Sequence, residues 1–206
     1  MTAFIEHLRE QRWDDHRYYH HSRINQSLHL VSAVSFVCAY IMAFWNPAMA
    51  ALIGWLGAMT TRQVGHLVFE PKGYDAKNQA THEHKENIKV GYNLRRKIVL
   101  MSIWVMSPFC LLIDNTLGGT MDTPQSLDEF IRNVGILWLC LAMGGLLFRT
   151  MQLFFSSGIQ TGLVWATKII TDPFHDIMLY RTAPLHLLRG ELIDQSTRHN
   201  HSSQLS

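Results

Sequence analysis

Twelve histidines stand in this chain of 206 residues, and nine of them fall into groups by position. His16, His20, His21 and His29 precede or open the first apolar block. His66 closes the second, His82 and His84 follow it, and His175 and His186 come after the fourth. Neutral imidazole is the commonest metal ligand at physiological pH, and imidazoles grouped with carboxylates suit iron, zinc or copper. Helical spacing refines the set. Ser22 reads as the N-cap of the first apolar helix, which leaves His20 and His21 on freer backbone just before it. Asn25 and His29 are four apart and share a face. Arg62, His66 and Glu70 also repeat at intervals of four, so they line one stripe, with His66 and Glu70 as two ligands or as a ligand and its supporting carboxylate. The two imidazoles of His82-Glu83-His84 cannot share a helix face, so one of them is expected as a further ligand. His7, His199 and His201 read as solvated.

These residues need elements to position them. A bilayer core of about 30 Å takes roughly 20 apolar residues per helix. Four blocks approach that length: 28–46, 47–69, 98–117 and 134–155. The second is the weakest, because Thr60, Thr61, Arg62, Gln63 and His66 crowd its C-terminal half, and intramembrane charges face a bundle interior or a cavity. Asn46-Pro47 separates the first two blocks and suits a turn or the first turn of the next helix. The connector 70–97 is rich in Lys and Arg, whereas 118–133 carries Asp122, Asp128 and Glu129 against Arg132. The positive-inside rule then places the N-terminus and 70–97 in the cytoplasm and gathers all nine histidines at that face. Residues 159–192 read as amphipathic material on the cytoplasmic surface, with a short helix stopping before Asp172-Pro173. Residues 194–206 read as a disordered polar tail. The expected class is an all-α integral membrane protein: one domain over 1–193, with about four transmembrane helices and cytoplasmic interfacial helices.

Other classes are disfavoured. Cys38, Cys110 and Cys140 all lie in apolar blocks without CxxC spacing and read as small buried hydrophobes. The formal net charge is +2, and no basic patch with interleaved aromatics points to nucleic acid. Residues 1–27 are polar and hold no apolar signal region, so insertion would rely on the first span.

The string Tyr19-His20-His21-Ser22-Arg23-Ile24-Asn25-Gln26-Ser27-Leu28-His29, followed later by Gly65-His66-Leu67-Val68-Phe69-Glu70, resembles the 2-hydroxy fatty acid dioxygenase family, small multi-spanning membrane proteins of the fungal endoplasmic reticulum and of bacteria. In the family pattern a Tyr-His pair is followed by an Asn five residues after the His and a second His four residues further on. A Gly-His-x-x-Phe-Glu stretch closes a later span. Here His20, Asn25 and His29 fill the first motif, and Gly65, His66, Phe69 and Glu70 fill the second. The match spans about residues 12–75, and Pro71-Lys72-Gly73 replaces the family's Pro-Ala-Leu run. The resemblance implies Fe(II) as cofactor, O2 and a fatty acyl substrate at the membrane lipid interface, and oxidative loss of one carbon as CO2. It implies His20, His29 and His66 as ligands; the further ligand expected from His82 or His84 lies outside the match. Asn25 and Glu70 would serve the site, and Arg62 or Arg23 would pair with the substrate carboxylate. A bacterial inner membrane or the endoplasmic reticulum would be the location. Two other readings stay open: a histidine-box diiron lipid hydroxylase or desaturase, against which the missing HxxHH box speaks, and a non-enzymatic haem-binding or metal-transport protein.

Overall fold

The computed structural model describes residues 2–70, 73–75, 78–91 and 94–194. Every regular element among them is helical. Strand-like pairing is limited to two isolated bridges, Ser22 with Ile193 and Asp75 with Ala80. In chain order the helices are α1 (Thr2–Tyr19), α2 (Arg23–Met42), α3 (Pro47–Leu52), a π-helical stretch (Ile53–Met59), α4 (Thr60–Val68), α5 (His82–Ile88), α6 (Leu94–Ile113), α7 (Leu127–Ser157), α8 (Ile159–Tyr180) and α9 (Ala183–Leu188).

Three of these, over Arg23–Met42, Arg95–Ile113 and Leu127–Ser157, are long and apolar enough to cross a membrane. Only 6% of the apolar window of α6 is buried. A helix apolar on all sides belongs in a core or in lipid, and most of α6 lies outside any core, so the architecture is compatible with a membrane protein. The expected span 47–69 is a divided helical run in which α3, the π-helical stretch and α4 have 6, 7 and 9 residues. Its start is local chemistry: Asn46 accepts a hydrogen bond from Met49 N at 3.0 Å, and Pro47 occupies the first turn, where its missing N–H costs nothing.

α2 is the central helix and packs against α3, the π-helical stretch, α4, α8 and α9. An apolar cluster of Trp55, Leu111, Val134, Leu137 and Trp138 ties the π-helical stretch to α6 and α7. Trp55 and Trp104 stack there with centroids 4.3 Å apart, and the Trp138 indole donates to Ser107 Oγ at 3.1 Å. Close backbone approach joins α3 to α7, since a Cβ on Gly135 would lie 2.5 Å from Ala48 O.

The C-terminal third corrects the expectation most. The helix predicted to stop before Asp172-Pro173 runs on to Tyr180 with Pro173 inside it. An interior proline costs roughly 3 kcal/mol. Ion pairs flank it on both sides, Lys168 with Asp172 and Arg62 with Asp176, and Tyr40 of α2 donates to Ile170 O at 3.1 Å. Far from lying alone on a surface, α8 packs along α1, α2 and α7. The disordered tail was expected to begin at 194, but Asp194 is buried and bonded; residues 195–206 lie outside the described residues.

Candidate metal centre

His20 sits in the two-residue corner between α1 and α2, and that corner is held by its own carbonyls. Asn25 Nδ2 donates to Tyr19 O at 2.9 Å, and Gln26 Nε2 donates to His20 O at 2.8 Å. The chain after α9 closes over the corner from outside. Arg23 N donates to Leu192 O at 2.9 Å and Asp194 N to His21 O at 2.8 Å. The Asp194 carboxylate takes Gln26 Nε2 at 2.8 Å and Arg23 at 3.0 Å. With its backbone fixed in this way, the His20 side chain folds back over α2.

There it meets His29 and His66. The Nε2 atoms of His20 and His29 are 3.1 Å apart. The ring centroids of His66 lie 5.4 Å from His20 and 4.9 Å from His29. One ligand-capable atom from each of the three falls within 4.8 Å of the others, the only such group of histidine, cysteine and carboxylate side chains found among the described residues. His20 and His29 are buried. Burial, reinforced by the neighbouring His29, holds the His20 imidazole well below its ordinary pKa, so its lone pair is available at neutral pH.

The motif residues around the triad now have physical roles. Gly65 lets α4 lie on α2: a Cβ there would come within 2.2 Å of Asn25 Oδ1 and 3.5 Å of His29 Cδ2. Glu70 accepts from His66 Nδ1 at 2.7 Å, which leaves His66 Nε2 unprotonated and free to ligate. Lys89, just beyond α5, pairs with Glu70 at 3.4 Å and lies over the Tyr19 ring at 3.7 Å. Tyr19 in turn donates to Lys85 O at 2.6 Å.

Of the residues singled out in the sequence, His20, His29 and His66 come together, with Asn25 and Glu70 against them. Arg62 lies one turn away, but its guanidinium is turned onto Asp176 at 3.2 Å and Asp172 at 4.0 Å, and Arg23 is turned onto Asp194. His82 and His84 stand on α5 and are not members of the group; the side chain of His84 is exposed. Among the other histidines, His16 Nδ1 is 3.2 Å from Tyr180 OH, His21 faces Asp75 at 3.4 Å, and His186 faces Glu191 at 2.8 Å.

The residues that sequence reasoning missed lie on α8. Val164, Lys168, Asp172, Asp176 and Tyr180 are all buried and recur every four residues on one face. That polar stripe in an otherwise apolar helix was the available signal. Lys168 bridges Asp172, at 2.6 Å, and Asp15 of α1, while Arg12 reaches Asp172 at 3.1 Å. Burial pushes the Asp15 carboxyl up, but the charge and hydrogen bond of Lys168 outweigh it and hold Asp15 well below the usual carboxylate range. A small, partly open polar cleft, lined in part by Arg12, Asp15, His16, Arg62 and Tyr180, reaches His20.

No family model, no curated protein and no solved structure matches this chain. The chemistry of the site therefore has to be read from its own donors. Ligand atoms on opposite sides of a cation with metal–nitrogen bonds of about 2.1 Å lie about 4.2 Å apart, and adjacent ones about 3 Å apart. The observed separations, 3.1 Å between His20 and His29 and at most 4.8 Å within the group, come within about an ångström of that geometry. Three neutral imidazoles suit iron, zinc, copper or nickel.

Proposed function

We propose that this chain is an integral membrane, non-haem Fe(II) dioxygenase that shortens 2-hydroxy fatty acids by one carbon, with its metal at the cytoplasmic interface. The observation that carries the reading is the buried convergence of His20, His29 and His66. These are the histidines picked out by the resemblance to the 2-hydroxy fatty acid dioxygenase family. His20, His29 and His66 would hold Fe(II), which would supply the redox and Lewis-acid chemistry for O2 and a 2-hydroxy carboxylate.

The chain's own residues define the rest. Glu70 fixes the tautomer and orientation of His66. Asn25 and Gln26 hold the carbonyls of Tyr19 and His20, so the corner ligand does not swing away. Arg62 is paired with Asp176 and Asp172, and a bound metal would supply a further site for the substrate carboxylate. Exposed Val31, Val34 and Ile41 give α2 an apolar face on the side away from His29. In this reaction a 2-hydroxy acid and O2 give the acid one carbon shorter, CO2 and water. The substrate supplies all the electrons that O2 takes up, so no external reductant enters.

The test uses the full chain in detergent, loaded with Fe(II) and incubated in air with 2-hydroxyhexadecanoate and no reductant. Pentadecanoate and CO2 in equal amounts are expected. No turnover by iron-loaded protein would overturn the substrate assignment. Two irons per chain would favour a diiron hydroxylase, and a haem absorbance band would favour haem binding.

A further inference from the structure

Glu70 supports His66, yet His29 has no counterpart among the motif residues. Its Nδ1 is buried and has no hydrogen-bond partner, while its Nε2 is turned toward His20. The carboxylate oxygen within reach of Nδ1 is Asp176 Oδ2 on α8, 3.7 Å away. A neutral imidazole that gives Nε2 to a metal must carry its proton on Nδ1. A buried N–H left without an acceptor costs about 1–3 kcal/mol. A shift of about 0.8 Å would close the gap to an ordinary hydrogen bond of about 2.9 Å.

We propose that Asp176 is the positioning carboxylate of His29, accepting the hydrogen bond from His29 Nδ1 when a metal occupies Nε2, as Glu70 does for His66. The assignment rests on the metal-centre reading above. Asp176 lies outside both sequence motifs and comes from a helix more than a hundred residues along the chain. Arg62, 3.2 Å from the same oxygen, balances the charge, so the carboxylate is not buried bare. His175 Nδ1, 4.0 Å from Oδ1, also faces Asp176. The α8 stripe thus has a reason to approach α2 and α4 with its polar face: it completes the support of the triad.

Metal affinity and ligand field separate orientation from charge balance. Metal-free full-length protein in detergent is titrated with Co²⁺, following the visible band and competing with a chelator. Asp176→Asn is expected to weaken Co²⁺ binding by about 10–100-fold and to shift the band, and Asp176→Glu to recover most of both. The double variant Arg62→Gln/Asp176→Asn, which removes the cation together with the anion, is expected to stay as weak as Asp176→Asn. Wild-type affinity and band in Asp176→Asn, or full recovery in the double variant, would overturn the proposal. A second measurement needs no variant. Proton NMR of the Co²⁺-loaded wild type is expected to show slowly exchanging, paramagnetically shifted imidazole N–H resonances from His29 and His66, beside that of His20, whose Nδ1 is also buried; absence of the His29 resonance would overturn it. A Co²⁺ band that survives in His66→Ala would overturn the metal-centre reading itself.

Discussion

His20 and His29 face each other Nε2 to Nε2 at 3.1 Å although one lies in the corner before α2 and the other inside it. Two such atoms at that distance must share one proton or one cation. The backbone around them is bonded so that the chain cannot relax the contact, and four expectations follow from how it is held.

Gly65→Ala places a Cβ 2.2 Å from Asn25 Oδ1. Asn25 cannot swing aside freely, because its Nδ2 is bonded to Tyr19 O. The overpacking is expected to destabilise the protein by about 1–3 kcal/mol and to weaken metal binding, since His29 lies against the same spot. Thermal unfolding with and without Co²⁺ measures both, and a neutral substitution would contradict the close α2–α4 approach.

Asp194→Ala removes the carboxylate that takes Gln26 and Arg23. Hydrogen bonds to charged groups contribute about 1.5–3 kcal/mol each, so a stability loss of that order is expected. A faster off-rate for metal should accompany it, because the corner carrying His20 is loosened. Unchanged metal kinetics would show that the segment after α9 does not act on the site.

Burial holds the His16 and His20 imidazoles below their ordinary pKa. The unfolded chain therefore binds more protons than the folded one as pH falls below about 6.5, and stability rises with pH across that window. Metal-free protein is expected to have its full stability above about pH 6.5 and to lose it progressively below, by up to roughly 1.4 kcal/mol per group per pH unit. A Tm that stays flat across that window would contradict neutral burial.

His82 and His84 stand on α5, which reaches the site through Lys89 and Glu70 rather than through an imidazole. The double variant His82→Ala/His84→Ala is expected to keep full metal content. Loss of metal from it would return one of these residues to the ligand set.

What could be read in the sequence was what one helix encodes by itself. Asn25 with His29, and His66 with Glu70, were visible because a spacing of four puts residues on one face. The corner before α2 was visible from Ser22, although Ser22 makes no side-chain cap and bridges to Ile193 instead. The α8 stripe was hidden by Pro173, read as a stop because the contacts that hold the helix on either side of it, from Arg62 and Tyr40, come from distant elements. Asp194 was hidden by the polar composition around it, since its partners Arg23 and Gln26 lie some 170 positions earlier. Arg62 was read as a partner for the substrate carboxylate; in this fold its guanidinium faces Asp176.

Metal content of purified protein tests the central claim most directly. Wild type, His20→Ala, His29→Ala and His66→Ala are loaded with Fe(II) in detergent without air, freed of excess ion and analysed for iron per chain. One iron per chain in the wild type and near-complete loss in each single variant are expected. Full iron retained by any of the three alanine variants would contradict the assignment of His20, His29 and His66 as one metal centre.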